Sequence, residues 1–377
     1  MTDWLPWLLL SAPAVLPAGL TMLNLFTWAR GRPGARFNGD VSVLIPARNE
    51  EQTIEQCVRS ALASTHPLLE VVVFDDASDD ATPDILARIA EEDERLRIVK
   101  GTGLPEGWVG KPHACHQLAR HARGTLLVFI DADTALEPEG VERIASLIED
   151  CDLLTAVPRQ ITITPPEQIV LPLLHLTYTA WLPLPLIHLT QDPRVLAANG
   201  QILAVRRSAY DMIGGFASVK TEVVDDMAFC RRMKSAGGRV RFADGYQISS
   251  CRMYTSTQEI WEGFSKNLYE GIGESPFALL GVVALYSLAF IVPYIALFFA
   301  IDAGAAAAWT AAAAVGVGAN LLTRGALAGR YGHSLLSVIA HPIAVMFLLA
   351  LAVNSFLWSR RGQIRWRGRV YAARGER

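Results

Sequence analysis

Apolar positions along this chain fall into distinct regimes. Residues 4–28 form an almost unbroken apolar run, and further runs at about 276–300, 304–322 and 335–358 fill the C-terminal end. Between them, from roughly residue 40 to 265, short apolar runs alternate with segments of helical spacing. Val41-Ser-Val-Leu-Ile45 predicts a strand, Pro46-Ala-Arg-Asn-Glu50 the turn after it, and residues 51–63 a helix. Glu70-Val-Val-Val-Phe74 predicts a second strand, residues 82–93 a helix, and 96–99 a third strand. Leu126-Leu-Val-Phe-Ile130 predicts a fourth, with a helix over 138–149. Continuous apolar strands alternating with helices imply an α/β fold with a mainly parallel sheet covered on both faces.

The terminal runs are long enough to span a bilayer. No basic residue precedes the first run, which argues against a secretory signal, and Arg30, Arg32 and Arg36 follow it. The positive-inside rule then puts residue 30 onward in the cytoplasm. Pro6, Pro13 and Pro17 weaken this helix and leave an interfacial segment open. The C-terminal tail carries Arg360, Arg361, Arg365, Arg367, Arg369, Arg374 and Arg377 against Glu376, which suits anionic lipid headgroups. An inside tail requires an even number of C-terminal spans, whereas the apolar runs there make an odd one. Either 304–322 does not span or another segment inserts. His341-Pro342 predicts a kink near the start of the last run. Residues 165–190 are apolar but hold Pro165, Pro166, Pro172, Pro183 and Pro185, so the segment is read as buried core or as an interfacial element rather than a straight span.

Composition adds little. A net charge of −3 leaves no global field to recruit nucleic acid. The cysteines are odd in number and lack CxxC spacing, which argues against a disulfide framework or a cysteine zinc site and fits a reducing compartment.

The acids are informative. Asp75, Asp76 and Asp79 follow one predicted strand, and Asp131 and Asp133 follow another. In open α/β sheets ligands bind beyond the carboxyl ends of the strands, so two acidic loops converge on one crevice. Two carboxylates at i and i+2 in a turn suit a hard cation, Mg²⁺ or Mn²⁺, that keeps positions for substrate phosphates. A metal-bound diphosphate is a good leaving group. No GxxxxGK[ST] loop is present, so phosphate must be held by metal and basic residues, with Lys111 in Gly107-Trp108-Val109-Gly110-Lys111 a candidate. Downstream, Gly214-Gly215-Phe216 precedes Val224-Asp225-Asp226-Met227. Paired acids before a helix either favour its dipole or supply a carboxylate that takes the proton of an attacking hydroxyl. His113, Cys115, His116 and His121 suggest a transition-metal site, against a plainer reading as a helix packed beside the crevice.

This ordered set, from Val43-Leu-Ile-Pro-Ala-Arg-Asn-Glu-Glu51 to Asp225-Asp226, resembles the family 2 glycosyltransferases of the GT-A fold over about residues 40–265. The resemblance implies a GT-A domain over 38–268, flanked by a membrane anchor at 1–30, a transmembrane region at 275–358 and a basic tail at 359–377. Asp76 would contact the nucleotide base, Asp131 the ribose and Asp133 the divalent metal, with Pro46, Arg48, Glu50 and Lys111 also on the donor. Asp226 would be the general base, and Asp225, Gln201, Arg252, Lys266 and Asn267 would serve the acceptor or support the site. The implied reaction is inverting transfer of one sugar from a UDP-sugar, glucose foremost, to a hydroxyl of a membrane lipid. The implied setting is the inner membrane, multi-pass, with a cytoplasmic catalytic domain.

The sequence departs from the family pattern in two places. The usual Glu-Asp pair is Asp225-Asp226, which keeps the base. The QxxRW motif of processive polymer synthases is missing where Trp261–Tyr269 stands, and Gln363-Ile-Arg-Trp366 is a near miss beyond the apolar runs. Arg252-Met-Tyr254, Gly263-Phe-Ser-Lys-Asn267 and Trp366-Arg-Gly-Arg-Val-Tyr371 look like bacterial membrane enzymes that glucosylate carotenoids or related lipid alcohols. The rival readings are a processive or polyprenyl-phosphate-directed enzyme of the same family, a nucleotidyltransferase, and a non-catalytic membrane scaffold. The last predicts decay of the crevice acids, yet Asp76, Asp131, Asp133 and Asp226 are all present.

Overall fold

The β-branched runs of the middle segment form strands, and prolines open several helices, at Pro83, Pro165, Pro185, Pro276 and Pro342. The computed structural model describes residues 4–302, 304, 306–361, 365–366 and 369–370. A π-helical turn, Trp7–Ser11, leads into α1 (Ala12–Thr27). The chain then forms β1 (Ala29–Arg30), β2 (Val41–Ala47), α2 (Ile54–Leu62), β3 (Glu70–Asp75), α3 (Thr82–Glu92), β4 (Leu96–Lys100) and α4 (Gly110–His121). Next come β5 (Leu126–Ile130), β6 (Thr134–Leu136), α5 (Gly140–Ile148), β7 (Leu153–Gln160), α6 (Pro165–Val170), α7 (Leu173–Thr179) and α8 (Pro185–Leu189). After β8 (Ile202–Arg206), α9 (Arg207–Met212), α10 (Asp225–Ser235) and β9 (Val240–Cys251), the chain is helical: α11 (Thr257–Gly271), α12 (Pro276–Phe290), α13 (Val292–Asp302), α14 (Ala307–Tyr331), α15 (Leu335–Ile339) and α16 (His341–Arg360).

Two units emerge. Residues 28–161 and 184–253 form the sheet unit, and 1–27, 162–183 and 254–377 the helical one. The sheet runs β1-β9-β7-β8-β5-β2-β3-β4. Its ladders are parallel except where β8 pairs antiparallel with β5 and β7 and β6 with β9. The core joins Val41, Val43 and Ile45 of β2 to Ile54, Val58, Leu86 and Ile144 of the helices. The expected turn at Pro46 is instead the end of β2, where Pro46 stands opposite Phe74. The β2–β5 ladder stops at Leu44, so the proline's missing N–H falls where that neighbour makes no bond.

An aromatic brace supports the segment before α10. Phe216 stacks on Phe229 with centroids 4.5 Å apart and meets Phe129 edge-on at 5.2 Å. Gly214 and Gly215 have φ of 79° and 54°, and a Cβ on Gly215 would stand 2.3 Å from the Tyr210 ring. The glycine pair therefore lets the chain turn against Tyr210 and brings Phe216 under β5.

In the helical unit, Trp7–Thr27, Ala307–Tyr331 and His341–Arg360 are long and apolar enough to cross a membrane. Packing gives their directions. Leu10 clusters with Ala312 and Ala313, Ser11 Oγ donates to the Ala312 carbonyl at 2.9 Å, and Ala14 and Ala18 meet Ala319. The α14 helix thus runs parallel to α1. Asn320 Nδ2 donates to the Ala289 carbonyl at 3.0 Å, and Ala296 and Leu297 pack on the Ala312 cluster, so α12 and α13 run antiparallel to α14. The run expected at 276–300 breaks at Ile291, between two helices. The alanine-rich run is longer than expected and forms α14. The last run breaks at Ala340, just before His341-Pro342, as the kink reading required.

Rather than starting at the far end of α12, α16 starts beside its close. His341 lies 5.3 Å from Phe290, and Ala352 clusters with Leu279. It then follows α11, with Phe347 against Trp261 at 5.5 Å, Asn354 Nδ2 donating to Ser265 Oγ at 2.9 Å and Tyr269 N donating to Ser355 Oγ at 2.9 Å. The prolines of 165–190 cut that stretch into the short helices α6, α7 and α8. Within the arginine-rich end, 362–364, 367–368 and 371–377 lie outside the described residues, among them Gln363, Arg367, Arg374 and Arg377.

Truncating Phe229 to Ala removes the stacked partner of Phe216 from a fully buried position. The expected loss is about 3–5 kcal/mol of stability, read as a lowered unfolding midpoint of the detergent-solubilised chain. A change under about 1 kcal/mol would show that the brace does not hold this segment.

Candidate active site

Strand ends and the loops after them build the site. The loops after β2 and β3 are cross-linked, because Asn49 N donates to Ser78 Oγ and Asp79 N to Asn49 Oδ1, each at 3.0 Å. Asn49 and Ala77 carry φ of 55° and 54°, a region costly for residues with a side chain. Arg48 Nη1 donates to the carbonyls of Asp76 and Ala77 at 2.5 and 3.2 Å, so its guanidinium positions the Asp76 loop. Asp76 is buried, and its N–H donates to the Ala47 carbonyl. The Glu50 carboxylate accepts from Thr53 Oγ1 at 3.1 Å as its carbonyl starts α2.

The second acidic loop meets a lysine. Lys111, in the first turn of α4, places Nζ 2.5 Å from Asp131 Oδ1 and donates to the Gly200 carbonyl at 3.2 Å. A Cβ on Gly200 would stand 3.2 Å from Lys111 Nζ and 3.4 Å from Asp226 Cβ. The structure therefore gathers Lys111, Asp131 and Asp226 around Gly200, with Asp133 two residues on in the same loop and Asp225 at the start of α10. Asp131 N donates to the Gln201 carbonyl at 3.2 Å, and Cys57 Sγ lies 3.6 Å from the Asp131 carbonyl.

Gln201 braces this loop from beneath. Its amide donates to Cys251 Sγ at 2.8 Å, and its carbonyl oxygen accepts from Gln160 Nε2 at 3.1 Å. Arg252 follows Cys251 at the end of β9, whereas Lys266 and Asn267 belong to α11 of the helical unit. His113 and His116 pack around Trp108, with centroids at 5.5 and 5.0 Å, and His113 also meets Phe74 edge-on. Among the described residues no group of three or more His, Cys, Asp or Glu side chains could hold a metal ion.

Sequence reasoning missed the Asn199-Gly200 loop. Thr155 Oγ1 donates to the Asn199 carbonyl at 2.7 Å, Asn199 N donates back to Thr155 Oγ1 at 2.9 Å, and Asn199 Oδ1 accepts from Gln201 N at 3.0 Å. An Asn-Gly pair signals a turn, but nothing local reveals that its carbonyl faces Lys111.

Too much negative charge gathers here for the protons to leave easily. Burial pushes Asp133 up to about 6, with the Asp131 charge adding to it. Burial likewise pushes Asp225 up to about 7, with Lys111 opposing and Asp226 adding, and it raises Asp226 too. Burial would lower Lys111, yet Asp131 and Asp225 more than offset it and hold the ammonium above its usual range. A cluster of hard oxygens with surplus negative charge fits a divalent cation. Such an ion would take Asp133 and complete its shell from substrate phosphate and water rather than from a protein cage.

Comparison with known proteins follows the same lines. Residues 42–214 match the family model for glycosyl transferase family 2. The chain is 24% identical over 340 residues to the 4,4'-diaponeurosporenoate glycosyltransferase of Staphylococcus aureus strain USA300, covering 88% of each. It is 25% identical over 341 residues to the protein of that name from strain bovine RF122. Among solved structures it resembles a mannosyltransferase from Pyrobaculum calidifontis in complex with GDP-Man and Mn²⁺, with 20% identity, a TM-score of 0.53, and coverage of 91% of this chain and 96% of that one. That likeness is one of fold.

The raised carboxylates set a pH dependence. Unfolded aspartates titrate near about 3.9, so the folded chain holds the extra protons up to the values of Asp133 and Asp225. Stability of the metal-free chain therefore falls as pH rises from about 4 to about 7. The measurement is the unfolding temperature in chelator at about pH 5 and about pH 7.5, with Asp133→Asn expected to flatten the slope. An unfolding temperature that rises over this interval contradicts the electrostatic account.

Proposed function

We propose that the chain is a family 2 glycosyltransferase of the GT-A fold that transfers one sugar from a UDP-sugar to a carotenoid-like acceptor at the membrane. The observation that carries the reading is the convergence of Lys111, Asp131 and Asp226 on Gly200, with Asp133 and Asp225 beside them. Asp76 and Asp131 bind the nucleoside, with Pro46 and Glu50 shaping their loop and Arg48 holding it. Lys111, released from Asp131, faces the diphosphate. Asp133 holds the divalent cation, Mg²⁺ or Mn²⁺, which when bound neutralises charge on the departing diphosphate.

Asp226 is the general base. It takes the proton of the acceptor hydroxyl as that oxygen forms its bond to the sugar's anomeric carbon. The bond from that carbon to the diphosphate breaks on the opposite side, so configuration inverts. Asp225, held protonated up to about pH 7, limits the negative charge beside the base. Support for the donor class is the motif set together with the nucleotide-sugar and Mn²⁺ bound by the mannosyltransferase of similar fold. Support for the acceptor class is the name of the staphylococcal relatives. That name denotes an -oate, which favours a carboxylate oxygen as a second reading of the acceptor group.

Helix directions support a membrane arrangement. We read α1, α12 with α13, and α14 as crossings. On that reading α16 returns alongside α11 and ends on the side where α1 hands over to the sheet unit. Two C-terminal crossings meet the even count that the arginine tail requires, and both the tail and the catalytic domain lie in the cytoplasm.

Three measurements test the proposal. Asp226→Asn is expected to keep UDP binding and to lose transfer by about 10²-fold or more, while Asp133→Asn loses metal-dependent turnover. Transfer by Asp226→Asn at the wild-type rate would remove it as the base. Incubating membranes with labelled UDP-sugars and extracting the lipid should yield one glycosylated lipid, whereas labelled polymer would overturn single transfer. For orientation, cysteines introduced at Asp79, Ala306 and Arg361 stand against native thiols that are all buried. Labelling in intact cells should reach Ala306→Cys, and reach the other two after permeabilisation. Labelling of Arg361→Cys from outside would refute the topology.

A further inference from the structure

Among the described residues, the helical unit buries a charge with no acid to meet it. Arg324 on α14 is fully buried. Its guanidinium donates to the Ser337 carbonyl from Nε and Nη2 at 3.3 and 3.1 Å, and to the Pro172 carbonyl from Nη1 at 3.1 Å. These bonds leave Nη1 and Nη2 one N–H each. No carboxylate among the described residues forms an ion pair with it. A buried cation is costly unless an anion compensates it, and an ionisable group inside a membrane segment marks a functional site by default.

Its surroundings share the same deficit. His341, at the first position of α16, is fully buried, and neither ring nitrogen has a hydrogen-bond partner among the described residues. Among the described residues, Tyr294 Oη is buried without a partner, as is His333 Nδ1. The charge of Arg324 reaches Tyr294, His333 and His341. Native interiors leave few such groups unsatisfied, and each calls for an explanation. The N-terminal N–H groups of α16 open at the same point, and helix N-termini favour anions. Donors therefore surround Arg324 while negative charge is missing.

Depth identifies the kind of anion. Arg324 precedes the end of α14 at Tyr331 by one run of helix, about 10 Å at 1.5 Å per residue. In a hydrocarbon core about 30 Å thick, that is the reach of a lipid headgroup drawn slightly inward. The neighbouring α15 presents Leu335 and Ile339 to the outside, at 71% and 68% exposure, an apolar approach for an acyl or polyene chain.

We propose that Arg324, His341 and the N-terminus of α16 form a binding site for the oxyanion head group, carboxylate or phosphate, of a membrane amphiphile. Its residues all belong to the helical unit, and the site stands whether or not the acceptor assignment holds.

The test is native mass spectrometry of the full chain in detergent, offered phosphatidic acid, oleate, methyl oleate or inorganic phosphate. The expected result is one retained phosphatidic acid or oleate and no retained methyl oleate. Arg324→Gln should weaken retention about tenfold or more, and Arg324→Lys should keep part of it. Should Arg324→Gln fail to fold, His341→Phe, which leaves the guanidinium in place, is expected to weaken retention as well. Retention unchanged in a folded variant, or equal retention of methyl oleate, overturns the site. Displacement by inorganic phosphate at matched concentration also counts against it, since the occupant would then be a free ion.

Discussion

Asp131, Asp133, Asp225 and Asp226 share the ammonium of Lys111, and this imbalance of charge governs the sheet unit. A single cation cannot neutralise that group, so protons remain on carboxylates that would ordinarily have lost them. The cluster is unfavourable for folding on its own account and suited to a ligand that brings positive charge with its phosphates. Strain in the Asn49 and Ala77 backbones belongs to the same economy of a site held open by its scaffold.

The scaffold explains how such a site persists. Loops after β2 and β3 hold each other through Arg48, Asn49 and Ser78. The loop after β5 rests on Gln201, itself locked between Gln160 and Cys251. The helix that carries Asp225 and Asp226 is set by the Phe129, Phe216 and Phe229 stack behind Gly214-Gly215. None of these braces carries chemistry, yet each fixes one acid against the others, and the buried apolar surface of β2, β3 and β5 supports the whole.

In the helical unit the ordering force is different. Small residues (Ala14, Ala18, Ala312, Ala313, Gly316 and Ala319) let α1 and α14 approach closely, as helices in lipid require. Arg324 ties α14 to the carbonyls of Pro172 and Ser337, which draws α15 and the start of α7 to one point. A cation used in this way joins α14 and α15 to a segment 152 residues away, and it also defines the polar interior that an anionic head group would complete.

The sequence by itself determined the strands β2, β3, β4 and β5, the placement of acids after two of them, and the apolar runs. Each of these rests on local composition: β-branched residues make Val71–Val73 and Val41–Ile45 strands wherever they pair, and a loop acid after a strand needs no partner to be recognised. Tertiary structure decided the rest. Insertion of β8 antiparallel between β5 and β7 depends on pairing across distant residues, which periodicity does not encode. The same holds for the Gly200 carbonyl meeting Lys111, and for Gln201 serving as a brace beneath Asp131. The apolar run 276–300 reads as one helix, but Ile291 breaks it. The run 335–358 reads as one helix, yet it breaks at Ala340, and contacts with Phe290 and Leu279 set α16 antiparallel to α12. Hydropathy records that a segment leaves water, whereas its direction and depth come from the neighbours it packs against.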